Sequence, residues 1–122
     1  LDWLQPSYDL GYNVVTMDEF KKRGIENVIE ETLYKIGDNP VYITFDLDSL
    51  DASVAPAVSN IEPSFTGFTI DEAKALIQSV KNKNVIGGDV VCLMPTKDQK
   101  NNITSMVAAS IMFEIISVIA FK

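Results

Sequence analysis

Histidine is missing from the whole chain. Imidazole is the commonest protein metal ligand and the usual acid or base near neutral pH, so metal or proton-transfer chemistry must draw on other side chains. Cysteine occurs once, at Cys92, which excludes an internal disulfide. No signal sequence opens the chain, and together with the lone thiol this points to a reducing, cytoplasmic setting. Basic residues are scarce: 10 Lys and Arg against 17 Asp and Glu give a net charge of −7. That charge opposes phosphate backbones and anionic bilayers, so neither nucleic acid nor a membrane is an expected partner. Internal repeats and low-complexity stretches are absent, and the chain begins at Leu1 without Met, as a trimmed or partial polypeptide would. What is present is a globular composition. With 122 residues, 47% hydrophobic and 22% charged, one core and one domain are the natural count.

Short apolar runs alternate with amphipathic segments. Residues 1–10 have no clear period and read as an irregular lead-in; residues 12–17 form the first strand candidate. Asp18 is a candidate helix N-cap. Ile25, Val28, Ile29, Leu33 and Ile36 then recur at helical spacing, with acids and Lys35 on the other face, until Gly37 stops the helix. The run 41–45 is mostly β-branched or aromatic and follows Pro40, so it reads as a buried strand. Residues 52–68 show neither period and make a long loop, a length that in compact domains tends to be functional. Thr69-Ile70-Asp71-Glu72 has the form of a capping box, opening a helix that buries Ala73, Leu76, Ile77 and Val80 and ends at the positive Lys81-Asn82-Lys83-Asn84. Residues 85–93 form another strand, with Gly87 and Gly88 marking close backbone approach. Strand, helix, strand in this order implies parallel pairing with a right-handed crossover.

The last segment, 103–121, carries a single charge, Glu114. Its length approaches the roughly 20 residues of a membrane span. Glu114 at its middle and Ser105, Ser110 and Ser117 along it favour instead a helix buried on every side. So much apolar surface needs more cover than a short chain provides, which implies a homo-oligomer or a missing N-terminal segment.

The chemistry concentrates where the strand 41–45 runs into Asp46-Leu47-Asp48-Ser49-Leu50-Asp51. On an extended chain Asp46 and Asp48 face one side, roughly 6.5–7 Å apart. Ligands bind at the carboxyl ends of strands in open α/β sheets, so this pair is placed to hold a dication or to share two. The plainer alternative is that the acids cap the next segment or bind loop amides. Asp51 reads as ordering the loop and Asp89 as satisfying nearby backbone groups. Cys92 has no base or positive field beside it in its strand and reads as a small, buried, apolar residue rather than a nucleophile.

The run Asp46-Leu47-Asp48-Ser49-Leu50-Asp51-Ala52-Ser53-Val54-Ala55-Pro56 resembles the D-x-D-x-L-D-P-x-x-A-P segment of the ureohydrolases, the arginase and agmatinase family. Val58-Ser59-Asn60-Ile61-Glu62-Pro63 resembles the family's following loop. Asn102-Ile103-Thr104-Ser105-Met106-Val107-Ala108-Ala109 resembles the start of its last core helix, and Arg23-Gly24-Ile25-Glu26 also fits. The resemblance runs through nearly all of the chain but covers only the C-terminal part of the family's fold. It implies a partial three-layer α/β/α domain over residues 1–122, with 12–17, 41–45 and 85–93 as parallel strands.

By resemblance the activity is hydrolysis of a guanidino compound with release of urea at a binuclear manganese centre, with Asp46 and Asp48 as metal ligands. The family's remaining ligands lie in earlier His- and Asp-containing motifs that these residues lack, so the chain alone is expected to show little turnover. Two departures stand out. Cys92 occupies the place of a family glutamate that contacts the guanidinium group, and a neutral thiol cannot supply that two-oxygen, charge-assisted contact. The loop Ser64-Phe65-Thr66-Gly67-Phe68-Thr69 is about two residues longer than the family's Gly-Gly-Leu-Thr passage. Two alternatives remain open: a non-enzymatic assembly unit on the old fold, and a D-x-D phosphatase binding magnesium.

Overall fold

A computed structural model describes residues 2–62 and 66–121. Its centre is a parallel pair, β1 (Val41–Asp46) and β2 (Val85–Val91), which among the described residues makes up the whole sheet. Five helices occupy the described residues: α1 (Gln5–Asp9), α2 (Met17–Arg23), α3 (Ile25–Ile36), α4 (Ile70–Ser79) and α5 (Ile103–Ala120). The register slips between Val41 and Tyr42, after which Tyr42 lies opposite Gly87 and Asp46 opposite Val91. The two strands therefore finish side by side.

The alternation of β1 decides its two faces. Phe45 joins the core and Val41 and Ile43 pack against it, while Tyr42, Thr44 and Asp46 are exposed. The core gathers Leu47 and Leu50 just after β1, Ala73, Ile77 and Val80 around α4, Val85 in β2, and Ile111, Ile115 and Val118 of α5. Gly88 explains how close α5 comes. A β-carbon there would lie 2.6 Å from Ile115 Cγ2 and 2.8 Å from the Ile43 carbonyl oxygen, so only a hydrogen fits between helix and sheet. These helices cover one face, and Tyr42, 58% exposed, shows that the opposite face is open among the described residues.

Caps fix the helices. Thr69 and Glu72 complete the expected capping box, at 2.9 and 3.1 Å. Glu72 also pairs with Lys21 at 2.7 Å, and Phe20 meets Phe68 edge-on at 5.0 Å, which ties α2 to the start of α4. The side chain of Thr16, rather than Asp18, caps α2 by accepting the Glu19 N–H. Asp18 lies one position inside the first turn, where its charge favours the helix dipole.

Three further expectations change. Residues 12–16 form no strand and Met17 already begins α2, because a strand persists only with a partner and none lies beside this segment among the described residues. The second strand stops at Val91, not at residue 93: Cys92 turns to φ +71° and Leu93 pairs instead with Val58. Helix α5 is not buried on every side. Thr104, Ala108, Ile111, Ile115 and Val118 face the core, whereas Met106, Phe113 and Ile116 are exposed. Its one charge, Glu114, is held by α4 through Gln78 at 2.8 Å and Lys74 at 3.6 Å. By length and composition alone α5 could cross a membrane, but its inward face is fitted to β2 and α4. The Ser64-Phe65 part of the lengthened loop lies outside the described residues.

Candidate dication site at the carboxyl end of the sheet

The chain does not stay extended through the two acids. After Asp46 it tightens into a single 3-10 turn, Leu47–Ser49, with Leu47 fully buried as the anchor. Asp46 shapes that turn itself: its Oδ1 accepts the Asp48 N–H at 2.9 Å, and its carbonyl accepts the Ser49 hydroxyl at 2.6 Å. The expected strand-like spacing is therefore replaced by a closer one. A carboxylate oxygen of each acid and Cys92 Sγ all lie within 4.8 Å of one another.

Cys92 arrives through the register. Since Asp46 faces Val91, the next residue of the second strand emerges beside the acids, and its positive φ turns the chain out of the ladder there. The expectation of a buried apolar thiol is thus corrected: Cys92 is partly exposed and its Sγ lies within 4.8 Å of a carboxylate oxygen of Asp46. The neighbouring Asp46 carboxylate, then burial and the negative charge of Asp48, push its pKa up, the opposite of what an activated nucleophile needs.

Asp48 carries a buried oxygen, Oδ1, that no described group satisfies. Burial, then the negative charges of Asp46 and Glu62, raise its pKa. A carboxylate pressed against other acids without a donor is poor for stability and well suited to a cation. Beside it opens a cavity of about 220 Å³ lined by Met17, Asp48, Ser49, Glu62, Thr66 and Gly67.

Asp51, Asp89 and Asp98 have structural partners. Asp51 accepts the Ser53 amide and hydroxyl at 2.9 and 2.6 Å, which orders the loop as expected and lowers its pKa. Asp89 accepts the Tyr42 and Thr44 hydroxyls at 2.9 and 2.6 Å, so it serves side chains rather than backbone groups. Asp98 was not singled out by sequence. It accepts the Thr104 and Ser105 amides and the Ser105 hydroxyl, doing for α5 what its N-cap Asn102, in a left-handed conformation without a side-chain bond, does not. Those bonds outweigh burial and hold its pKa down at about 2.

The model of the arginase family matches residues 3–117 of this chain. The chain belongs to the arginase family. That span takes in β1, the acid pair, Cys92 and nearly all of α5, so the apolar last helix lies within the family's fold. Among this arginase-family chain's relatives, an agmatinase of Enterobacter sp. (strain 638) is 36% identical over 93% of the chain and 36% of the relative. An agmatinase of Escherichia coli O7:K1 is 37% identical over the same shares. The chain thus spans about a third of the length of the curated relatives it matches. Proclavaminate amidino hydrolase from Streptomyces clavuligerus superposes with a TM-score of 0.89 at 31% identity, over 98% of this chain and 40% of that one. Formimidoylglutamase from Bacillus subtilis superposes with a TM-score of 0.83 at 27% identity, over 98% and 38%. The parallel α/β arrangement expected from the sequence is the arginase-like one.

The residues present fit part of a dication site. Two carboxylates and a thiol converge, and one buried oxygen lacks a donor, but no imidazole is available from this chain. The D-x-D phosphatase alternative loses its footing, since the motif here stands within the arginase-family match.

Proposed function

We propose that these residues form the C-terminal portion of a hydrolase that cleaves a C–N bond of a linear amidine or guanidino compound, with Asp46 and Asp48 supplying part of a manganese site. Family membership supports the reaction class, and the observation that carries the site is the convergence of the two carboxylates around a buried, unpartnered Asp48 oxygen. A manganese ion held by Asp46 and Asp48 would supply activation of water for attack near neutral pH. The chain's own residues do the positioning. Buried Leu47 fixes the turn, the Asp48 N–H orients the Asp46 carboxylate, and the surplus of negative charge favours a cationic substrate over an anionic one.

Cys92 leaves the site without a carboxylate at the end of β2, so a guanidinium group has no two-oxygen partner there and the substrate contacts differ from the family pattern. On this reading the chain by itself has little turnover, because two carboxylates fill only part of a dication's coordination. Further chain or a second copy covers the exposed side of α5, in a cytoplasmic protein. Absence of histidine also favours a second reading, an assembly unit without activity.

The deciding experiment incubates the complete protein with manganese and agmatine, arginine or a guanidino acid and follows urea. Dication-dependent release that disappears in Asp46→Ala/Asp48→Ala supports the hydrolase. Phosphate release from a phosphoester with no urea from any of the three would overturn it, and no turnover at full manganese loading would favour the assembly unit.

A further inference from the structure

We propose that Cys92 Sγ is a third ligand of the dication held by Asp46 and Asp48, and that it tilts the site towards a thiophilic ion, zinc or cobalt, and away from manganese. The inference rests on the acid-pair site proposed above and names the ion that site prefers. Three independent features meet at one point. The parallel register delivers Cys92 beside Asp46, and residue 92 then leaves the ladder with φ +71°, next to the acids. The donor atoms fall within 4.8 Å of one another. Two donors on opposite sides of a zinc ion, at its usual sulfur and oxygen distances, stand at most about 4.5 Å apart, so small side-chain adjustments close the shell. Finally, the buried Asp48 Oδ1 has no donor among the described residues, and no described ion pair places a lysine or arginine on Asp46 or Asp48.

On metal binding, the Cys92 S–H bond breaks, its proton passes to solvent, and the sulfur electron pair forms the bond to the metal. No oxidant or reductant is needed. Hard oxygen donors alone suit manganese or magnesium, whereas adding a thiolate moves preference to softer ions. The same substitution that removes a guanidinium contact thus supplies a ligand.

Cobalt is the probe, because a thiolate ligand gives it a sulfur-to-metal charge-transfer absorption that carboxylates do not. The full protein is titrated with cobalt and with manganese, alongside Cys92→Ser and Cys92→Glu, each checked for native circular dichroism. The sulfur band is expected in the wild type only. The cobalt-over-manganese preference should fall about tenfold or more in Cys92→Ser, and Cys92→Glu should retain a dication with the preference moved towards manganese. A measurement on the unmodified protein guards against a variant that fails to fold: cobalt should protect Cys92, the one thiol within these 122 residues, from alkylation. Cobalt bound with no sulfur band, and with alkylation as fast as in the metal-free protein, overturns the role of Cys92 and leaves the acid pair standing. No cobalt or manganese bound at all overturns both.

Discussion

Replacing Thr104 by valine tests how the long loop is held beneath the acids. Thr104 is wholly buried in the first turn of α5, and its Oγ1 accepts the Ala57 N–H at 3.1 Å. Ala57 is itself 1% exposed, and its carbonyl accepts the Met94 N–H at 2.9 Å. One residue therefore clasps the loop after β1 to the helix and to the segment just past Cys92. Valine keeps the shape and branching of threonine but accepts no hydrogen bond, so the Ala57 N–H is left buried and unpaired. The cost is the desolvation of one amide, about 1–3 kcal/mol. For a chain of this size that lowers the melting temperature by about 4 °C per kcal/mol. Urea unfolding followed by circular dichroism measures the change directly. Thr104→Ser, which keeps the acceptor and loses a methyl group, should cost less than valine. A valine variant within about 0.5 kcal/mol of wild type, or a serine variant that is the worse of the two, would refute the hydrogen-bond account.

Other perturbations follow from the same packing. At Gly67 a β-carbon would lie 2.3 Å from the Leu50 carbonyl carbon and 2.4 Å from the Asp51 amide, backbone that cannot yield; Gly67→Ala should cost about 3 kcal/mol in urea unfolding. Gly88→Ala should cost about 1–3 kcal/mol, and removing the opposed Cγ2 with Ile115→Ala should make the double variant's loss smaller than the sum of the two single losses, whereas purely additive losses would argue against that clash. Asp98 has a folded pKa of about 2 against an ordinary 3.8, so it stabilises the folded state above pH 3.8 and loses that contribution as pH falls towards 2. Thermal melts should show that slope in the wild type and a flatter one in Asp98→Asn. Asp48→Asn removes a carboxylate whose pKa is raised by burial and by like charges, so in the metal-free protein it should raise the melting temperature at neutral pH. A fall there would show that the charge has a partner.

The sequence exposes whatever depends on local pattern. The capping box at Thr69, the stop at Gly37, the apolar period of α3 and the tight packing at Gly88 all follow from residue type and spacing. What it hides depends on contacts far along the chain. Residues 12–16 look like a strand because valines in sequence say nothing about whether a partner strand is present. Cys92 looks apolar and buried because its neighbour Asp46 lies across a parallel ladder, and only the one-residue slip near Val41 fixes which residues meet. The D-x-D pair was legible as a candidate, but its geometry was not: the 3-10 turn at Leu47 replaces strand alternation and draws the acids together. Asp98 carried no motif at all, since its role depends on a loop returning to the start of α5.

The central claim is that Asp46 and Asp48 hold a dication at the end of the sheet. Calorimetric titration of the protein with manganese and with cobalt, repeated on Asp46→Ala/Asp48→Ala, measures it most directly. The account predicts a binding isotherm for the wild type that vanishes in the double variant while the circular dichroism of the variant stays native. Binding of unchanged affinity without the two carboxylates would contradict it.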